Sequence, residues 1–270
     1  MRLLLSFIFL FPTLVFSQKG KIIVEFAEIW GTSVLASVLM VEENNSSIYI
    51  EIGNPTKQPS AEQIFSNNFN VNDIGYLILK KNDIFYHNGL MPPVKNVLTE
   101  DKAPKINWKI LKETKEIMGY QCIKAECEFR GRKVFAFFSP EIPFSSGPWK
   151  YSGLPGLILE AWQEDEQYHY VTKKLILNSQ LEIPNAITAF IDKLKENPIS
   201  FKEYVQKENN FSRKLESMTR ASLSANSYRA TDFLRESDRE LQFEWEKEPE
   251  KRGSGNVMSL EEMKKKVGLK

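Results

Sequence analysis

The chain has 270 residues, 42% hydrophobic and 26% charged, an ordinary globular composition that argues against a fibrous or disordered protein. Lysine and arginine number 36 against 35 acidic residues, and that balance argues against a nucleic-acid binder held by charge. Two histidines and two cysteines leave little material for a zinc centre or a disulfide framework, and no cofactor is implied.

Met1-Arg2 opens the chain with a basic residue, and Leu3 to Phe16 is apolar but for Ser6, Pro12 and Thr13. Val15 and Ser17 satisfy the −3 and −1 positions of a cleavage site, so residues 1–17 read as a secretory signal peptide. The stretch is shorter than the about 20 apolar residues that span a bilayer. Cleavage removes Arg2 and leaves Gln18 first in a formally neutral chain. The expected location is therefore exported, periplasmic in the first instance and secreted as the alternative.

Ile22 to Phe26, Val34 to Val41 and Ser47 to Ile52 read as strands, the second with some helical character and the third half-buried by its alternation. Gly53-Asn54-Pro55 ends the third, and residues 54–73 read as a long surface loop. Ile74 to Leu79 and Asp83 to His87 are short strands around a turn at Lys80-Lys81-Asn82. Gln121 to Phe129 places Ile123, Ala125, Cys127 and Phe129 on one face, with Cys122, Lys124, Glu126 and Glu128 on the other. Arg130-Gly131 turns this strand into Arg132 to Phe138. On a continuous strand Cys122 and Cys127 lie about 16 Å apart, beyond the reach of a disulfide.

Residues 139–160 form an unusual loop. Its first eighteen residues, Ser139 to Gly156, hold four prolines and three glycines among large apolar side chains. Prolines restrict the unfolded loop, so the segment can hold one shape. Pro155-Gly156 suits the centre of a type II turn begun at Leu154, which would demand positive φ at Gly156. Phe144, Trp149, Tyr151 and Leu154 either cap the sheet or, with Pro155 and Gly156, line a ligand or partner surface. Glu141 and Glu160 flank the loop and supply the carboxylates that a hydrolase would need.

Leu157 to Trp162 and Tyr168 to Leu177 are two further strands. Ala186 to Glu196 is a short helix ending before Pro198. Ser200 and Glu203 make a capping box that opens a helix over about 200–223, with Phe201, Tyr204, Val205, Phe211, Leu215 and Met218 as its apolar stripe. Leu241 to Trp245 alternates as a closing strand would, and 247–270 is a mobile charged tail. Residues 18–246 thus make one α+β domain, a curved antiparallel β-sheet with C-terminal helices packed on it.

Gly153-Leu154-Pro155-Gly156-Leu157-Ile158 spells GLPGLI. Upstream stand Trp108-Lys109-Ile110 with Glu113-Thr114-Lys115, Gly119-Tyr120-Gln121-Cys122-Ile123-Lys124-Ala125, and Pro140-Glu141-Ile142-Pro143 with Gly147-Pro148. In these ordered blocks the chain resembles the GLPGLI family of exported Bacteroidetes proteins, most strongly over residues 106–162. The resemblance implies export. The strand with Gly119-Tyr120-Gln121-Cys122, its returning strand and the Pro-rich crossover also resemble, more distantly, the periplasmic lipoprotein carriers, which hold acyl chains in the hollow of a curved sheet. The family resemblance implies no enzymatic activity. The expected function is non-catalytic binding of an apolar ligand, a lipidated chain or an envelope partner through residues 139–160. The alternatives are an exported hydrolase using the loop carboxylates and an accessory protein of an outer-membrane uptake system.

Overall fold

The computed structural model describes residues 20–89, 97–222 and 239–245. The expected signal peptide at 1–17 and charged tail at 247–270 lie outside these residues. Twelve strands form one sheet: β1 (Lys21–Trp30), β2 (Ser33–Val41), β3 (Ser47–Ile52), β4 (Ile74–Lys81), β5 (Ile84–Asn88), β6 (Leu98–Asp101), β7 (Lys109–Ile117), β8 (Tyr120–Phe129), β9 (Arg132–Ser139), β10 (Leu157–Gln163), β11 (Tyr168–Ser179) and β12 (Pro198–Ser200). Their spatial order is β12-β6-β5-β4-β3-β2-β1-β11-β10-β9-β8-β7. All pairings are antiparallel except the short parallel contact of β12 with β6.

Two meanders, β1–β6 and β7–β11, meet where β1 pairs with β11. Tight turns with left-handed residues drive several of the hairpins: Asn82-Asp83 at φ 51° and 60°, Met118-Gly119 at 55° and 84°, and Arg130-Gly131 at 46° and 78°. The first lies just past the expected Lys80-Lys81-Asn82, because Asn and Asp tolerate left-handed φ better than lysine does.

The sheet is necessarily curved. β6 and β7 lie ten strand spacings apart, about 48 Å on a flat sheet. Residues 102–108 connect them and reach about 28 Å at most. The sheet must curl to bring these strands together, and Asp101 of β6 touches Arg130 of the β8–β9 turn across the hollow.

The concave face holds Ile22, Val24, Leu39, Tyr49, Ile78 and Phe85 from the first meander with Ala125, Val134 and Tyr170 from the second. The loop between β9 and β10 folds into this hollow. On the convex face Ile23, Val38, Met40, Ile48, Ile50 and Leu77 pack against α1 (Ala61–Ile64) and α2 (Asn185–Lys195). Ile187, Ile191 and Leu194 of α2 are its buried stripe at helical spacing. α3 (Phe201–Ser222) begins as its capping box requires, the Ser200 hydroxyl accepting from the Glu203 N–H at 3.2 Å. Phe201, Tyr204 and Val205 are buried, while the side chains of Leu215 and Met218 lie outside the described residues.

Several expectations change. β3 is buried on both faces rather than half-buried, because helices cover one side and the hollow the other. The 54–73 loop contains α1 and a 3-10 turn at Val71–Asp73. Cys122 is buried although it alternates with the buried Cys127, and both thiols are free. Burial pushes the Cys122 thiol up to about 11 and the Cys127 thiol up to about 12. Leu241 to Trp245 is not a strand: the Leu241 and Gln242 N–H groups both donate to one carbonyl, that of Arg130, at 2.8 and 3.0 Å.

Candidate functional site

Of the two roles open to the loop, capping the sheet or lining a surface, its packing follows the first: it plugs the hollow. Phe144, Trp149, Tyr151 and Leu154 are all buried in the hollow, and only Pro155 of the six singled-out positions is exposed. Trp149 meets Phe129 and Tyr151 edge-on, with centroids 6.0 and 5.1 Å apart, and Tyr151 meets Tyr170 at 5.9 Å. The Trp108 indole donates to the Ser152 carbonyl at 2.9 Å, tying the plug to the chain just before β7. Gly156 is at φ 159°, almost extended, so no type II turn is centred there. A Cβ at Gly156 would lie 2.1 Å from the Ser139 carbonyl oxygen. Close approach of two backbones, rather than left-handed φ, is why glycine stands in the signature.

Beside the plug the hollow carries two charge sets. Arg130 and Lys150, 1% and 0% exposed in their side chains, converge on Asp101, also 1% exposed. Arg130 grips Asp101 with two hydrogen bonds of 2.8 Å, and Lys150 donates to it at 2.7 Å. Burial alone would raise the Asp101 carboxyl, but Lys150 and Arg130 outweigh it and hold the group down at about 2. Phe201 of α3 roofs the cations, its ring centre 4.3 Å from Lys150 Nζ and 4.8 Å from the Arg130 guanidinium carbon.

The second set is acidic. Glu28 of β1 is fully buried, Glu51 of β3 nearly so, and the Tyr49 hydroxyl donates to Glu28 at 2.6 Å. Burial, reinforced by the Glu51 charge, raises Glu28 to about 8 against the lowering pull of Arg239 and Tyr49.

The segment 239–245 joins the two sets. Arg239 pairs with both Glu28 and Glu51, its guanidinium carbon 4.6 Å from the Tyr168 ring centre and 5.5 Å from that of Tyr76. Glu240 pairs with Arg130 and receives two bonds from Lys150, at 2.9 and 3.1 Å. Glu244 accepts from Arg130 at 2.8 Å. Phe243 sits edge-on to Phe201 at 5.4 Å and stacks on Trp245 at 4.9 Å.

Further along the hollow, His87 of β5 lies edge-on to Phe201 and Tyr204, at 5.2 and 5.3 Å. Burial and the nearby Lys150 charge lower His87 to about 3, so its ring is neutral. The two carboxylates considered for hydrolysis are engaged separately. Glu141 accepts from the Gln121 N–H at 3.0 Å, while Glu160 pairs with Lys115 at 2.5 Å and His169 at 2.9 Å.

The charge sets were not expected from the sequence. Glu28 extends a strand whose expected end was Phe26, and Arg130 stands in a turn. Lys150 adjoins Trp149 in the loop. The available signal was a charge at each inward-facing strand or plug position; what brings the charges together is tertiary.

A family model described as a protein of unknown function (Porph_ging) matches residues 126–160, from β8 through the plug into β10. No curated protein matches the sequence. Among solved structures, PNGF-II is similar with a TM-score of 0.47 and 13% identity, over 69% of this chain and 32% of its own. The MucA/MucB complex of Pseudomonas aeruginosa gives 0.33 and 8%, over 60% of this chain and 53% of that one. A LolA superfamily protein from Nitrosomonas europaea gives 0.24 and 9%, over 64% and 90%. The chain thus spans about a third of PNGF-II and about half of the MucB structure. Among the described residues no helix is long and apolar enough to cross a membrane.

Proposed function

We propose that this is an exported, non-catalytic protein of the bacterial envelope, a GLPGLI family member that binds a partner polypeptide on its concave face. The observation that carries the reading is the seating of 239–245. A segment distant in sequence from the sheet enters the hollow, is held by the Arg130 carbonyl and by the Gln163 amide on the Arg239 carbonyl at 3.2 Å, and is fixed by side-chain sockets. Main-chain ties for affinity and sockets for specificity are how extended peptides are recognised. Of the ligand classes expected from the sequence, an acyl chain suits this face least, since it would lie against buried charges and leave them unpaired. In this reading residues 139–160 act as a rigid floor, with Lys150 reaching up from between Trp149 and Tyr151.

The test uses the full chain with Arg239→Ala and Glu240→Ala, which loosens its own segment. A pool of labelled extended peptides and a fluorescent fatty acid are titrated into it. Saturable peptide binding without fatty-acid binding is expected. Fatty-acid binding with no peptide retained would overturn the reading.

A further inference from the structure

The two charge sets have opposite needs. Glu51 presents a carboxylate beside Glu28, which burial keeps largely protonated at neutral pH, and among the described residues both pair with Arg239 and with no cation of the sheet. Arg130 and Lys150 are two buried cations with Asp101 as the sheet's single acidic partner. Strands, a hairpin turn and the plug build both sets, so each carries an excess of its own sign that an occupant must neutralise.

Arg239 and Glu240 meet those needs in opposite directions, although they are adjacent residues about 3.8 Å apart at Cα. The arrangement reads a basic residue followed directly by an acidic one. Reversing the pair would place carboxylate on carboxylate and cation on cation. Gly131 admits the chain just beyond: it has φ +78°, and a Cβ there would lie 3.2 Å from the Cβ atoms of Leu241 and Gln242.

The chain's own segment matches the charges without matching everything around them. On the face itself the Tyr170 hydroxyl and Gln163 Oε1 are buried with no hydrogen-bond partner among the described residues. Tyr170 stands directly opposite Glu28 in the β1–β11 register, so its orphaned hydroxyl adjoins the acidic set. Buried polar atoms left without partners are costly, and a native occupant is expected to satisfy them.

We propose that the concave face recognises an extended partner segment in which a basic residue is followed directly by an acidic one, and that Arg239–Trp245 occupies the face as an internal mimic of it. The proposal rests on the partner-binding reading above and specifies its ligand. Binding by a partner then requires displacement of 239–245, so the free protein is self-occupied.

Three labelled heptapeptides test it: the sequence of 239–245, the same with its first two residues exchanged, and the same with both replaced by alanine. They are titrated by fluorescence anisotropy into the full chain carrying Arg239→Ala and Glu240→Ala. The native order should bind at least tenfold more tightly than either other peptide. Equal affinities would overturn the charge-order proposal and leave partner binding standing; no binding by any of the three, nor by the peptide pool, would overturn both. Because the double variant can lose stability, hydrogen exchange at Leu241 and Gln242 is followed in the unsubstituted chain with excess peptide. Faster exchange with the native order alone supports the mimic. Equal exchange with all three, or no change, refutes it. Dimers formed by exchange of 239–245 between copies, seen by light scattering, would assign the face to a second copy and refute a separate partner.

Discussion

Trp149 holds a left-handed backbone, φ 52°, with its ring buried among Phe129, Tyr151 and Lys150. A bulky residue there is strained and persists only where its surroundings over-determine it. Trp149→Ala should therefore cost about 3–5 kcal/mol, as for other buried tryptophans. Gly156→Ala should cost as much or more, since its Cβ would collide with the Ser139 carbonyl and two backbones must part. Urea unfolding of both variants checks this. A Trp149→Ala chain as stable as its parent would mean that the ring does not support the core. Glu28 sets a pH dependence. Its folded value of about 8 stands above the ordinary 4.5, so its contribution is complete below 4.5 and is lost as pH rises through 8. His87 acts oppositely: at about 3 when folded against 6.5 ordinarily, its contribution is complete above 6.5 and is lost as pH falls through 3. Between pH 6.5 and 8 only Glu28 of these two acts, so the melting temperature should fall across that window. Glu28→Gln should flatten the fall, and a slope unchanged in that variant would remove Glu28 as its source.

At the scale of elements, β7 ends the sheet with an exposed edge rich in Lys and Glu, and its register with β8 shifts between Ile110 and Thr114. Charges and irregular pairing on an edge resist addition of further strands. Lys112→Val with Glu116→Val should therefore produce concentration-dependent association, followed by light scattering; a variant that behaves as its parent does would locate the protection elsewhere. The same exposure hid β7 from the sequence, because a strand wet on both faces shows no apolar alternation. β6 and β12 were missed because four and three residues carry too little pattern. The β8–β9 and β10–β11 hairpins and α2 were legible because their apolar residues recur at strand or helix spacing and the turns of the hairpins are local. Leu241 to Trp245 alternates convincingly, yet alternation records only which side chains are buried. Here Phe243 is buried against an aromatic ring rather than in a ladder. The plug's rigidity was readable from its prolines; its inward direction was not, since aromatic residues suit a core and a surface alike. Asp101, Glu28 and Glu51 come from three strands, and no local pattern brings them to one hollow.

For the whole molecule, the order of the strands sets the order in which it can be built. Each meander consists of neighbours in sequence and can form by adding each strand to the one before it. The seam between them is different: Lys21, at the start of the first strand, pairs with Ser179, at the end of the eleventh. Until that late segment is available, β1 has one neighbour and an open edge lined by Ile22, Ile23 and Val24. A chain emerging amino end first thus carries half a sheet with one edge of an apolar strand open through much of its synthesis. That interval is when it is most exposed to pairing with the wrong strand, and it closes only when residues 168–179 arrive.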